Sequence, residues 1–392
     1  MKISERAQSI SPFFAMEFGK RAAQLSQQGH HIIKLSLGEP DFGVPPEVIE
    51  AGKNLMDGRP LPYTSALGLP ELRQKISEFY QKTHGVYVDP ARIIVTAGAS
   101  AALLLLTAAL VDVEDEVIVG DPSYPCNRQF LSSFGAKVKL VTTNAASKYQ
   151  VTAQSVKDNW SDKTTGLMIA TPSNPTGTSI PVAELKQICE WARQRQAWRI
   201  IDEIYLNLAD HDEQGHAPQT VLAFDPEAIV INSFSKYFGM TGWRLGWCVV
   251  PESMVSVMEN LAQNYFICPS TIAQHAALAC FSDASLAICE QRRNIFLERR
   301  QLVLEGLKRI GLSVPVEPNG AFYVYFDVSS TGLSSWEFCE RVLQEAHVAL
   351  TPGQDFGFCD ANTHVRLSYA ASAEELKQAL QRLETFMQSL SV

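Results

Sequence analysis

Phe14, Phe18, Ala22 and Leu25 recur every three to four positions, as one face of a helix does, and Gly29 supplies a stop. Residues 32–37 follow as a strand-like run broken at Gly38-Glu39-Pro40. From there to about Pro269, short apolar runs alternate with longer helical stretches. The runs predict strands at 93–96, 116–119, 166–170, 199–201, 228–231 and 246–250. The stretches predict helices over 70–82, 99–110, 182–194 and 270–278. Such alternation is the pattern of a mainly parallel sheet covered on both faces. Beyond it come a long charged helix over 288–309, strands near 321–326 and 364–368, and a closing helix from Ala373. The chain therefore reads as α/β, with a large domain over 46–287 and a smaller α+β domain built from both ends, 1–45 and 288–392.

Composition narrows the function. The 392 residues, 46% hydrophobic and 19% charged, are ample for a large core. A net charge of -9 and the lack of a basic run argue against a nucleic-acid partner held by phosphate neutralisation. The longest apolar stretch, 101–111, is interrupted by Thr107 and falls short of the roughly 20 residues a bilayer requires, so no membrane partner is expected. Met1-Lys2-Ile3-Ser4-Glu5-Arg6 mixes charges and lacks a secretory apolar core. The 8 cysteines are scattered without a Cys-x-x-Cys pair, as reduced packing residues of a cytoplasmic protein would be. Loop 210–216 gathers Asp, His and Glu, but its spacing aligns no ligand set, and no metal is expected.

The unusual polar residues fall where predicted strands end, the edge at which open parallel sheets bind ligands. Lys236 closes Asn232-Ser233-Phe234-Ser235-Lys236, straight after the run 228–231, and Arg244 follows in Thr241-Gly242-Trp243-Arg244-Leu245-Gly246. Burial and a nearby cation favour the neutral, carbonyl-seeking amine; taken alone, Lys236 reads more readily as a surface charge past a strand end. Thr96 runs into Ala97-Gly98-Ala99-Ser100-Ala101, which either leaves helix N–H groups free for an anion or is a simple tight turn. In Ile200-Ile201-Asp202-Glu203-Ile204-Tyr205, Asp202 needs a cationic partner such as a protonated ring nitrogen, unless it merely caps a strand-to-helix junction. Tyr205 can aim its hydroxyl at the same ring. In Thr171-Pro172-Ser173-Asn174-Pro175-Thr176-Gly177-Thr178, the prolines fix the backbone so that Asn174 presents its amide in one direction. Together these groups suit a ligand with a phosphate, a cationic ring nitrogen, a phenolic oxygen and an aldehyde. Pyridoxal 5′-phosphate has all four.

The same segments, with Ser36-Leu37-Gly38-Glu39-Pro40-Asp41-Phe42, Tyr63-Thr64-Ser65-Ala66-Leu67-Gly68, Pro318-Asn319-Gly320-Ala321-Phe322-Tyr323 and Val365-Arg366-Leu367-Ser368, run nearly end to end in order. In them the chain resembles the class I/II aminotransferases of the pyridoxal-phosphate fold-type I superfamily. The resemblance implies a seven-stranded type of sheet, bound pyridoxal 5′-phosphate and a homodimer with shared sites. It implies that Lys236 is the Schiff-base lysine and proton shuttle, that Asp202 keeps the pyridine nitrogen protonated, and that Tyr205 and Asn174 contact the ring oxygen. The backbone of Ala99 and Ser100, the Ser233 hydroxyl and Arg244 would hold the phosphate, joined by Tyr63 of the neighbouring subunit. Tyr124, in Asp121-Pro122-Ser123-Tyr124-Pro125, would stack on the ring, although such an aromatic also suits an ordinary turn. Arg366 would grip the substrate α-carboxylate beside Gly38 and Asn174; on its own it suits a solvent-facing strand edge slightly better. One departure is local: Gly98-Ala99-Ser100-Ala101-Ala102 lacks the longer polar residue many relatives carry after the glycine.

The implied activity moves the α-amino group of an L-amino acid to a 2-oxo acid through the lysine Schiff base and an aminated cofactor. A carbon–sulfur β-lyase is the nearest rival. A non-catalytic regulator that kept the fold fits less well, since the lysine, the aspartate and both arginines are present. A nicotinamide-dependent dehydrogenase lacks its Gly-x-Gly-x-x-Gly. Phe13, Phe14 and Met16 hint at neutral or aromatic substrate side chains, with glutamate or alanine among the donors. Arg128 is close enough to Tyr124 to be read as a distal-carboxylate ligand, with a surface position the plainer expectation.

Overall fold

The computed structural model describes residues 1–390. Its strands are β1 (Ile33–Lys34), β2 (Ile93–Thr96), β3 (Glu116–Asp121), β4 (Lys137–Thr142), β5 (Thr164–Ala170) and β6 (Trp198–Asp202). They continue as β7 (Ile229–Ser233), β8 (Gly246–Val249), β9 (Tyr323–Asp327), β10 (Val348–Ala349), β11 (Thr351–Pro352) and β12 (His364–Ser368). The main sheet has seven strands in the order β2-β8-β7-β6-β5-β3-β4. Only β8 runs against its neighbours; the remaining pairs are parallel. This is the α/β fold expected from the strand–helix alternation.

Alternation along each strand sends apolar side chains to both faces, which is why the sheet must be covered twice. Ile93, Val95, Ile118, Leu167, Ile201 and Val230 enter one core. Their neighbours Ile94, Val117, Met168, Ile200, Ile229 and Ile231 enter the other. Helices Pro70–His84 and Val182–Gln194 cover the first face through Leu72, Ile76, Leu185 and Ile188. Helices Ala99–Leu110 and Val255–Tyr265 cover the second through Leu103, Leu106 and Met258. Each such fully buried aliphatic side chain contributes roughly 1.5–3 kcal/mol. Strand β4 is absent from the strands that the hydrophobic pattern predicts. It lies at the sheet edge, and Lys137 and Lys139 interrupt its apolar run, as charges on edge strands commonly do.

Strands from the two ends of the chain pair outside the main sheet. Strand β1 pairs in parallel with β10, Ile33 opposite Val348. Strands β11, β12 and β9 form an antiparallel sheet that sets Arg366 between Thr351 and Tyr325. The long helix, expected from 288, already begins at Asp283, capped by the Ser282 hydroxyl on the Ser285 N–H, and ends at Gly311 in the left-handed region, φ +85°. It lies close against helix Ala373–Leu390: a Cβ on Gly306 would come within 2.5 Å of Leu380. Among the described residues no single helix is long and apolar enough to cross a membrane, and Ala99–Leu110 is instead buried against the sheet.

Candidate active site

Strands β2, β3, β5, β6 and β7 all end at one edge of the sheet, and β8, running the other way, begins there. The register aligns Ala170, Asp202 and Ile231 across three adjacent strand ends, so the loops after them open onto one cavity. Gly38, Ala99, Ser100, Tyr124, Asn174, Asp202, Tyr205, Ser233, Lys236, Arg244 and Arg366, all singled out in the sequence, line it together. Tyr63 does not. It is 78% exposed on the protomer surface.

Lys236 is aimed by its neighbours. Phe234 is buried against Phe238 and Trp247, with ring centroids at 5.3 and 4.9 Å, and the Ser235 N–H is held by Ser233 Oγ at 3.0 Å. The turn is thereby fixed and the lysine points into the cavity, where Nζ donates to the Gly38 carbonyl at 2.7 Å. Burial, and then the positive charge of Arg366, lower its pKa to about 8, so roughly a tenth of the amine is neutral at pH 7.

Asp202 and Glu203 are both buried at the end of β6 but face opposite ways. Glu203 accepts from the Thr220 hydroxyl and the Val221 N–H, each at 2.7 Å, away from the cavity. Asp202 lines the cavity, and its only hydrogen bond among the described residues is to Oδ1, from the Ile204 N–H at 3.1 Å. Burial pushes it up to about 6, against the pull of that N–H and of Lys236. A carboxylate enclosed in this way, with one oxygen uncommitted, suits a protonated ring nitrogen.

At the other end of the cavity, helix Ala99–Leu110 begins at Gly98, φ +83°, with no side-chain cap. Among the described residues nothing accepts from its first donors, the N–H groups of Ala99 and Ser100, whereas Ala101 and Ala102 both donate to the Gly98 carbonyl. Ser233, Ser235, Thr241 and Arg244 line the same end. Glycines make the close approach possible: a Cβ on Gly98 would sit 2.6 Å from the Arg244 guanidinium, and one on Gly246 would sit 2.9 Å from the Ala99 nitrogen. Free helix N–H groups, hydroxyls and a guanidinium brought together in this way suit an anion. Ser100 and Arg244 remain exposed in the protomer.

Arg366, far from a solvent-facing edge, is 2% exposed. Nη1 donates to Asn174 Oδ1 at 2.7 Å, Nη2 donates to the Ser36 carbonyl and to Thr351 Oγ1, and Nε has no partner. The guanidinium lies 4.6 Å from the Tyr323 ring and 4.8 Å from the Phe356 ring. A buried arginine that lines a cavity and is held through both Nη atoms suits a carboxylate.

Three expectations change. Of Phe13, Phe14 and Met16, only Phe13 reaches the cavity, joined by Ala15; Phe14 turns to Trp336 at 5.1 Å and Met16 is exposed. The reason is helical: Phe14–Gln27 starts there, and consecutive side chains diverge. Arg128 is neither a surface charge nor a free ligand. It donates to the carbonyls of Phe356 and Asp355 at 2.8 and 3.1 Å, and the Asp355 carboxylate accepts from the Phe14 and Ala15 N–H groups at 2.8 and 3.1 Å. Tyr323, which the sequence offers only as one member of a motif, lines the cavity between Gly38, Tyr205 and Arg366. In loop 210–216, Asp212 closes the turn onto His216, and among the described residues no three metal-binding side chains converge.

The family model for aminotransferase class I and II matches residues 30–383. The chain belongs to the class I and II aminotransferase family. It is 37% identical to the valine–pyruvate aminotransferase of Mycobacterium tuberculosis over 97% of both chains. It is 35% identical to the aspartate/prephenate aminotransferase of Thermus thermophilus, again over 97% of both. Among solved structures it resembles an aminotransferase from Mycobacterium tuberculosis, with a TM-score of 0.94 and 36% identity over 99% of this chain and 100% of that one. The Thermus thermophilus aspartate aminotransferase with maleate superposes with a TM-score of 0.92 at 34% identity, covering 98% and 99% of the two chains. As an aminotransferase of this family it is a transferase that depends on pyridoxal 5′-phosphate. The residues present fit that cofactor: an anion cradle at one end, an uncommitted buried carboxylate at the other and an amine of lowered pKa between them.

Proposed function

We propose that this aminotransferase moves the α-amino group of an L-amino acid to a 2-oxo acid, with Lys236 as both the cofactor-bonding amine and the proton carrier. The reading rests chiefly on Lys236 and Asp202 facing one cavity, the amine lowered to about 8 and the carboxylate raised to about 6. When bound, the cofactor supplies an aldehyde carbon for amines and a ring that withdraws electrons from the bond to be broken. Asp202 would hold the proton on the ring nitrogen. Asn174 and Tyr205 would contact the ring oxygen and Tyr124 the ring face. The N–H groups of Ala99 and Ser100, Ser233 Oγ and Arg244 would hold the phosphate. The exposure of that cradle and of Tyr63 supports a homodimer in which the partner subunit's Tyr63 completes it. Arg366, with Gly38 and Asn174 beside it, would fix the substrate carboxylate so that the α-proton faces Lys236, which removes it and returns it one position along.

The names of the relatives point to different substrates, a branched neutral amino acid in one and dicarboxylates in another. The cations lining this cavity are Lys236, Arg244 and Arg366, each with a use, while Arg128 is tied to backbone carbonyls. That favours neutral or aromatic side chains, with alanine a natural donor. Purified protein loaded with pyridoxal 5′-phosphate, mixed singly with L-amino acids, should lose its visible band and release the matching 2-oxo acid. Lys236→Ala should abolish turnover; a variant as active as the parent refutes the assignment. Pyruvate formed from cystathionine with no 2-oxo acid added would indicate β-elimination instead.

A further inference from the structure

Tyr205 and Tyr323 are both buried, and their hydroxyls are 2.7 Å apart. Among the described residues neither hydroxyl makes any other hydrogen bond. Two phenols hold two protons and only one can lie between them, so the other is free to leave the pair. Three features decide which phenol gives. The Tyr323 ring lies 4.6 Å from the Arg366 guanidinium, whose charge favours loss of the Tyr323 proton. The Tyr323 hydroxyl is also boxed in: a Cβ on Gly38 would fall 1.7 Å from it. Tyr205, by contrast, follows Asp202 at the end of the central strand, on the side where the ring nitrogen and ring oxygen of the cofactor would lie. Burial raises both phenols, Tyr205 well above the usual range, and the charge of Arg366 opposes this at each.

We propose that Tyr323 is a positioning residue that donates its proton to Tyr205, so that the proton of Tyr205 is aimed at the phenolic oxygen of the bound cofactor. This rests on the proposed aminotransferase site, with the cofactor ring beside Tyr205. A phenol whose acceptor lone pair is occupied by a neighbouring O–H has one free direction left for its own proton, and it becomes a stronger donor in a chain of hydrogen bonds. The ring of Tyr323 serves Arg366 and its hydroxyl serves Tyr205, so the two contributions are separable.

Tyr323→Phe removes the hydroxyl and keeps the ring. The readout is the pH midpoint of the visible absorbance of the cofactor-loaded protein, taken without substrate. Losing the donor behind Tyr205 should raise that midpoint by about half a unit or more, since a hydrogen bond to a group that changes charge is worth that much or more. Tyr205→Phe should shift it at least as far, and the double variant no further than Tyr205→Phe alone. The KM for a neutral amino acid should stay within about twofold of the parent, because the contact with Arg366 persists. Gly38→Ala, which displaces the Tyr323 hydroxyl without removing it, should reproduce the rise and serves in its place should Tyr323→Phe not fold. An unshifted midpoint in Tyr323→Phe, or a shift that adds fully to that of Tyr205→Phe, overturns the proposal and leaves the aminotransferase reading standing. A parent protein that takes up no cofactor overturns both.

Discussion

Replacing Arg366 by lysine keeps a positive charge but removes the planar fork. In the structure that fork is fully positioned before any substrate arrives: Nη1 is on Asn174 at 2.7 Å, Nη2 on Ser36 and Thr351, and the two rings brace its faces. A lysine offers one flexible point donor and cannot reach both a substrate oxygen and these anchors. Losing one charge-assisted hydrogen bond to the carboxylate costs about 1.5–3 kcal/mol, or roughly ten- to a hundredfold in kcat/KM. Arg366→Ala should lose more, because the buried Ser36 carbonyl and Asn174 Oδ1 also lose a donor, at about 1–3 kcal/mol of stability each. Stopped-flow decay of the visible band on mixing with an L-amino acid measures the first effect and thermal melting the second. The decisive control is a primary amine of the same side chain without the carboxylate. Its reaction rate with Arg366→Lys should match the parent, and an equal loss for amine and amino acid would refute carboxylate recognition by Arg366.

Two further outcomes are expected from the same geometry. Asp202→Asn should stabilise the cofactor-free protein while slowing transamination. The folded carboxyl titrates near 6 and the unfolded one near its ordinary 3.8, so its burial penalty is absent below 3.8, grows up to 6 and is complete above. Melting at pH 7.5 should therefore rise in the variant, by the equivalent of up to about 3 kcal/mol, and the gain should vanish near pH 3.5. An equal gain at both pH values would remove burial of the charge as the cause. Asp355→Ala should release the first turn of helix Phe14–Gln27, which it caps through two N–H groups, at about 1–2 kcal/mol. Hydrogen exchange should then quicken at residues 14–16 without a matching change in β12.

Much of this architecture could be read in the residues because the sheet is buried on both faces. Ile93, Ile94 and Val95, or Ile200 and Ile201, are apolar whichever way they point, and such runs stand out. Strand β4, with lysines at alternate positions, does not, and neither does helix Pro125–Ser133, whose polar residues outnumber its apolar ones. The site divides along similar lines. Residues at strand ends, such as Asp202 and Lys236, announce themselves by being polar beside a buried run. Tyr323 opens a strand of aromatics, where one hydroxyl facing a cavity looks like its neighbour Tyr325 facing the core. Arg128 and Asp355, 227 positions apart, meet only through tertiary packing, and no spacing rule could pair them.

The reversal of β8 carries a consequence for how this protein can vary. Strands β7 and β8 form an antiparallel hairpin closed by Ser233 opposite Gly246, and its loop bears Lys236 and Arg244. The two cations therefore share one clamp. Adding or deleting a residue between them cannot be absorbed by sliding a strand, because a one-step slip would send every side chain of that strand into the opposite core. Lineages of this chain should tolerate length changes in loop 210–216 and reject them between 234 and 245, where lysine and arginine are bound to a common ruler.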